Sequence, residues 1–489
     1  MFRKLLSGIV ILVVLLSFAV TVGAQEGTVN PPPPADMRSA ADVGMMNLPG
    51  GGWWTGFQVV NVGTSNATVI VTLYDSQSAN TYQSVSKTIA PNASYTFSPL
   101  NNADWTTPIP DGFIGSAVIS ADQPILAIVN EQNNLAGASG IAGGSYRGFT
   151  ADQTDTRLLF PLVKHNYGSA QRTTTFFVQN ASDTAANIYA TFRIGTNVYT
   201  KVYPSVGPSK LQVINPSDAG VPQGSVGSLE ITSTVKLAGI YNEHQHTATV
   251  ANTLLSTKGF APTEADTTLY VPLYKQNYNT AYSGIQVQNA GTVAATIYAT
   301  YTVSYGGSGT YYYSLSAGPG QSVTFFNVPG WPAGTFGSVT LSSSQPLVAI
   351  VNETKYSTGQ SGVYAAFAKS KVTNCAVAPL WKTRWSGTTS GQQSAIVVQN
   401  VGSVAATVNI TFTMTAGNTG TFTPPAQTVN PGASITYGPG AFTGGPPANL
   451  PATGSVVVCA TQPIAVLVQE TTLPGWTPRD MLNYEAFNQ

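Results

Sequence analysis

The sequence predicts an all-β protein: four tandem immunoglobulin-like β-sandwich modules behind a signal peptide. Three observations lead there. Apolar and polar residues alternate with period two in short runs, the pattern of strands with one buried face. The 48 glycines and 32 prolines fall largely between those runs, where they punctuate strands, and no segment carries a 3.6-residue apolar period. One set of landmarks recurs four times at a spacing of about 110 residues along the 489-residue chain, and internal repetition on that scale fixes the architecture. About seven short strands in each repeat is the signature of an immunoglobulin-like sandwich. A propeller blade would need only about 40–50 residues, so the repeats read as an extended row of modules.

The N-terminus reads as a secretory signal. Arg3 and Lys4 form a basic region, residues 8–20 are apolar, and Val22-Gly23-Ala24 supplies small residues for cleavage after Ala24. The alternative is an uncleaved membrane anchor, because the apolar run approaches the ~20 residues that span a bilayer. Residues 25–44 contain Pro31-Pro32-Pro33-Pro34 and read as a stiff Pro-rich linker. The modules follow at 45–155, 156–266, 267–373 and 374–489.

Within each module the first landmark is an Asn that ends a short apolar strand: Asn61, Asn180, Asn289 and Asn400. Eight residues later comes an alternating strand in the same phase, with Val69, Val71 and Leu73, then Ile188, Ala190 and Phe192, Ile297, Ala299 and Tyr301, and Val408, Ile410 and Phe412 on its buried face. The second landmark runs from a Gly-Ser pair to a Glu: Gly115 to Glu131, Gly227 to Glu243, Gly337 to Glu353 and Gly454 to Glu470, each interval being 16 residues. A Gln-Pro usually falls between, so the interval reads as a rigid hairpin-like pair. Modules 2 to 4 open on Pro161-Leu162, Pro272-Leu273 and Pro379-Leu380, each followed by Lys164, Lys275 or Lys382. Phe149, Phe260, Phe367 and Phe487 close the modules.

The run Val398-Gln399-Asn400-Val401-Gly402, followed by Asn430-Pro431-Gly432-Ala433-Ser434, resembles bacterial immunoglobulin-like cell-surface repeats of the cell-adhesion-related type. There an Asn-x-Gly turn precedes one strand and a Pro-Gly-x-Ser turn precedes another. Asn289-Ala290-Gly291 with Pro319-Gly320-Gln321-Ser322 matches, and Asn61-Val62-Gly63 with Pro91-Asn92-Ala93-Ser94 nearly so. Module 2 departs, with Asn180-Ala181-Ser182 and Gly207-Pro208-Ser209. The resemblance implies a surface scaffold or adhesion role and brings no catalytic residues.

Charge points away from several partners. Only 8% of residues are charged, against roughly 25% in soluble proteins. Without Arg3 and Lys4 the chain carries 18 basic and 20 acidic residues, which gives nucleic acid or anionic lipid nothing to bind. Cys375 and Cys459 fall in one module of an exported chain and read as one disulfide. Glu131, Glu243, Glu353 and Glu470 read as structural acids tied to the opening-strand lysines or to backbone amides. Glu131, whose module has no such Lys, is expected to rely on backbone donors alone. His165, His244 and His246, with Glu243, are the residues that could suit Zn²⁺. Trp53, Trp54, Tyr311, Tyr312, Tyr313, Trp381 and Trp385 could form a sugar-stacking platform or intermodule packing. No phosphate loop opens a helix.

The expected function is therefore that of a secreted or cell-surface structural or adhesion protein without cofactor. Its expected partners are further copies, in a layer, sheath or fibre, or cell-envelope components. A glycan-binding adhesin is the alternative, and a secreted hydrolase a third class. No membrane span is expected after signal cleavage.

Overall fold

The computed structural model describes residues 37–39, 53–99, 101–133, 143–245, 254–385, 391–473 and 481–488. The segment read as a signal peptide, 1–24, lies outside them. The fold is all-β: strands gather into several sheets, and the only helical pieces among the described residues are short 3₁₀ turns. No described helix is long and apolar enough to cross a membrane.

The second repeat shows the plan. An opening strand, Asp155–His165, is followed by the strand that ends on the landmark Asn, Arg172–Asn180, and by the alternating strand Ala186–Ile194. Then come Asn197–Val206, Leu211–Ile214, Ser225–Gln245 and Leu254–Lys258. Alternation does what period two requires: Ile188, Ala190 and Phe192 are buried, as are their counterparts in the other repeats. Each large apolar side chain so buried stabilises the fold by roughly 1.5–3 kcal/mol.

The 16-residue interval is not a hairpin. In three repeats it lies inside one continuous 21-residue strand, Ser225–Gln245, Thr335–Lys355 or Ala452–Thr472. The first half of Ser225–Gln245 pairs with the opening and alternating strands, and the second half pairs with Arg172–Asn180 and Leu254–Lys258. In the first repeat the same stretch is split into Gly115–Ala121 and Ile125–Asn133, which belong to different sheets and do not pair with each other. The Gln-Pro that reads as a turn marks the passage from one sheet to the other, because a proline removes only one ladder donor. Glycine begins the interval for a steric reason. A Cβ on Gly115, Gly227, Gly337 or Gly454 would stand 2.0, 2.1, 2.0 or 2.0 Å from the carbonyl oxygen of Tyr74, Arg193, Thr302 or Thr413 on the alternating strand.

Nor do the repeats form an extended row, because the fourth returns to the first. Each interval-opening serine donates to a turn carbonyl of the next repeat. Ser116 Oγ reaches Ser209 O at 2.7 Å, Ser228 Oγ reaches Gly320 O at 2.6 Å, and Ser338 Oγ bonds Gly432 O. The cycle is completed by Ser455 Oγ on Asn92 O at 2.6 Å. The acceptor residues all have positive φ: Asn92 60°, Ser209 56°, Gly320 69° and Gly432 75°. That backbone conformation turns the carbonyl outward and favours Gly or Asn. The strands Gly143–Arg147, Leu254–Lys258, Gln360–Ala365 and Met481–Glu485 pack side by side around the centre, the last against the first. Ser145 Oγ donates to Asn483 O at 3.0 Å, and the Arg147 guanidinium lies 3.9 Å over the Phe487 ring. Contacts of this head-to-tail kind are heterologous, and here the rotation closes after four repeats. An extended row would leave Ser455 Oγ and the Arg147 guanidinium without these partners.

Met37–Ser39 pairs with Gly115–Ala121 and with Phe149–Thr150. It holds the place that the opening strands hold in the other repeats, and it falls inside the 25–44 stretch.

Candidate functional site

The proline of each opening landmark sits at a register shift, between Phe160 and Val163, Val271 and Tyr274, or Ala378 and Trp381. Such a bulge re-aims the residues that follow it. In two repeats a buried tyrosine repairs the broken ladder: the Tyr364 hydroxyl bonds both N–H and C=O of Leu273, and Tyr484 does the same for Leu380. The lysine beyond the bulge turns inward. Its own N–H is held by a hydroxyl, at 3.0 Å in each case: Lys164 by Thr174, Lys275 by Ser283, Lys382 by Ser394.

The lysine ammonium then meets the interval-ending glutamate. Lys164–Glu243 is 2.7 Å, Lys275–Glu353 is 2.5 Å and Lys382–Glu470 is 2.7 Å, with every carboxylate almost fully buried. The second carboxylate oxygen faces the neighbouring repeat. Asn352 Nδ2 donates to Glu243 Oε2 at 2.9 Å, and Gln469 Nε2 donates to Glu353 Oε2 at 3.0 Å. Alternation explains the reach: the residue before each glutamate points to the opposite face, toward the preceding repeat. Arg172 Nη1 adds a further bond to Glu243 at 3.0 Å. Burial alone would raise the Glu243 carboxyl, but the charges of Lys164 and Arg172 and their hydrogen bonds outweigh it and hold it at about 2. Lys164 is lowered, first by burial and then by Arg172, against the pull of Glu243. One carboxylate shared by two cations favours its own ionisation more than it favours that of either cation.

Glu131 differs from the expectation of backbone donors alone. Its Oε2 accepts from the Ser256 hydroxyl at 2.6 Å, a side chain of the following repeat. The central strands pack so closely there that a Cβ on Gly144 would stand 2.1 Å from Ser256 Oγ.

The four landmark asparagines are fully buried. Asn61 Nδ2 donates to Ser65 O and Ile89 O at 2.7 and 2.8 Å, while its Oδ1 accepts from Gly63 N at 2.8 Å. Asn180, Asn289 and Asn400 repeat all three bonds. Each is an Asx-type brace that satisfies the backbone of its turn.

The remaining candidates are dispersed. His165 Nδ1 contacts Val221 O at 2.7 Å, and His244 Nε2 contacts Thr175 Oγ1 at 3.3 Å. His246 lies outside the described residues, among which no three His, Cys, Asp or Glu are grouped to hold a metal ion. Cys375 and Cys459 form a disulfide between directly paired residues of adjacent strands, with Cα atoms 4.1 Å apart. Trp381 is fully buried and packs edge-on against Phe412 at 4.8 Å. Tyr311 packs on Trp331 and Tyr313 on Phe325, at 5.6 and 5.9 Å, while Tyr312 is exposed. These residues do not make one platform, and the side chains of Trp53 and Trp54 lie outside the description. Sequence reasoning missed Arg172, Ser256 and the role of the Gly-Ser serines. The signal for the serines was their fourfold recurrence beside an obligatory glycine.

No protein-family model matches the chain, and no curated protein matches it. Among solved structures it is similar to the crystal structure of Thermotoga maritima 1070, at 17% identity over 22% of this chain and 92% of that one, with a TM-score of 0.19. It is also similar to a tetra-tandem repeat in the extending region of a large adhesion protein, at 13% identity over 90% of this chain and 96% of that one, with a TM-score of 0.10.

Proposed function

We propose that this chain is an exported, non-enzymatic structural or adhesion protein in which four immunoglobulin-like sandwich modules, divided near residues 155, 266 and 373, act as one rigid unit at the cell surface. One observation carries the reading. The ionisable residues that recur through the repeats are engaged in packing: Lys164, Lys275 and Lys382 neutralise Glu243, Glu353 and Glu470 at the seams. What faces outward on the alternating strand of the third repeat is uncharged and hydroxyl-rich, as with Thr296, Tyr298 and, on the adjoining strand, Tyr312 and Ser314. Such a surface offers adhesion contacts without acid–base chemistry. Because the seam surfaces are already occupied by neighbouring repeats, any association with further copies or with envelope components uses these outer faces. Antibody-labelled electron microscopy of the native cell tests the reading. Label over the outer surface is expected, and label confined to the cytoplasm refutes it.

A further inference from the structure

The seams between repeats are not alike. The residue three before each landmark Asn faces the preceding repeat, and at two seams it is apolar. Phe177 shares a core with Phe57 and Val59 of the first repeat, and Val397 shares one with Val271 and Leu273 of the third. Where the second repeat meets the third, the equivalent residue is Gln286, whose Nε2 donates to Thr324 Oγ1 at 3.0 Å. There the Phe326 ring lies against Gly284. Where the fourth meets the first, the equivalents are Gln58 and Gly56, and the position of Phe326 is taken by Ser98. That seam alone combines an amide, a glycine and a small side chain. It contains a cavity of about 200 Å³.

The walls of the cavity have a consistent chemistry. Leu380 and Leu482 form an apolar side and Trp385 adds an indole. Asn130 supplies an amide, and the Gln58 amide beside it is already held by Ser94 Oγ at 2.6 Å and by the Thr96 hydroxyl. The one charged group, Lys382, is neutralised by Glu470 and also donates to Gln392 Oε1 at 2.7 Å. An anion would have to compete with Glu470 for that ammonium, and a cation would meet no unpaired acid in the wall. A cavity of this volume holds several waters and has room for one ring.

We propose that this closing seam is a binding site for a single neutral pyranose ring, such as the terminal hexose of a glycan. The ring's C–H face would lie on Trp385 and the leucines, an arrangement in which an aromatic surface and a few placed polar groups fix orientation. Its hydroxyls would be read by Asn130, with Gln58 braced behind it by Ser94 and Thr96. The site exists only because the first and fourth repeats meet, so it belongs to the whole chain and to no single repeat.

The test uses the full mature chain, fluorescently labelled, on an array of immobilised neutral hexose-terminated glycans with sialylated and sulfated controls. Binding to neutral termini is expected. Trp385→Ala should weaken it at least tenfold, and Asn130→Ala several-fold, each with an unchanged unfolding midpoint. An array blank for neutral glycans overturns the proposal, as does binding that both variants retain in full or binding to the anionic controls alone. Any of those results removes this site and leaves the ring of repeats standing.

Discussion

Replacing Lys275 by Met should destabilise the protein more than replacing its partner Glu353 by Gln. Glu353 is 1% exposed and the Lys275 side chain 11%, and their charged atoms are 2.5 Å apart. Lys275→Met leaves a buried carboxylate whose one remaining partner bond shown here is from Gln469 Nε2 at 3.0 Å. Breaking a buried pair in this way costs about 3–5 kcal/mol. Glu353→Gln keeps an amide oxygen for the ammonium, which also retains Gln469 Oε1 at 2.9 Å. The loss is then one charge-assisted bond, about 1.5–3 kcal/mol. The double variant removes both charges and should cost less than the sum of the singles by about 1–3 kcal/mol. Urea unfolding followed by far-UV circular dichroism reads all three, provided the slope of the transition is unchanged. Two results would refute the reasoning: a Lys275→Met cost under about 1 kcal/mol, the value of an exposed pair, or additive costs in the double variant.

Further outcomes follow from the same geometry. Glu243, held at about 2 against an unfolded value near 4.3, contributes stability that is present above pH ~4.3 and lost as pH falls toward 2. Acid titration of the unfolding midpoint should show this drop, and Glu243→Gln should flatten it. Glu485 is displaced upward by burial, against the charges of Arg147 and Lys258 and a bond from Ala365 N–H. Its ionised form therefore opposes folding, and Glu485→Gln should raise the thermal midpoint at pH 7 while leaving it little changed at pH 4. The disulfide closes a sequence separation of 84 residues, so reduction should cost roughly 4 kcal/mol. Thermal unfolding with and without reductant checks this, and thiol labelling of the native unreduced protein would contradict the bond itself.

Strand positions and buried faces were legible because period two leaves its mark on every residue: Val69, Val71 and Leu73 needed no knowledge of their surroundings. The disulfide was legible because two cysteines in one repeat leave one pairing. The hairpin reading failed because Gln-Pro is as compatible with a strand passing between sheets as with a reversal, and only the pairing of Ser225–Gln245 on both sides decides between them. The strength of the Lys275–Glu353 pair was not legible because a sequence carries no burial, and an ion pair changes from weak to indispensable when water leaves it. Closure of the ring was invisible for a related reason. Ser116 and Ser455 look like ordinary turn serines until the carbonyls of Ser209 and Asn92 stand opposite them. Nothing local in the fourth repeat announces that its partner is the first.

Small-angle X-ray scattering of the mature chain tests that closure most directly. A compact chain of this length has a radius of gyration of about 23 Å by the usual scaling, and a closed ring of four packed repeats should lie within a few ångströms of it. Four sandwiches in a row, each about 35 Å long from strands of this length, would give about 40 Å and a distance distribution with a long tail. A value near 23 Å, with a distribution that ends abruptly, is the result the ring predicts; a value near 40 Å would contradict it.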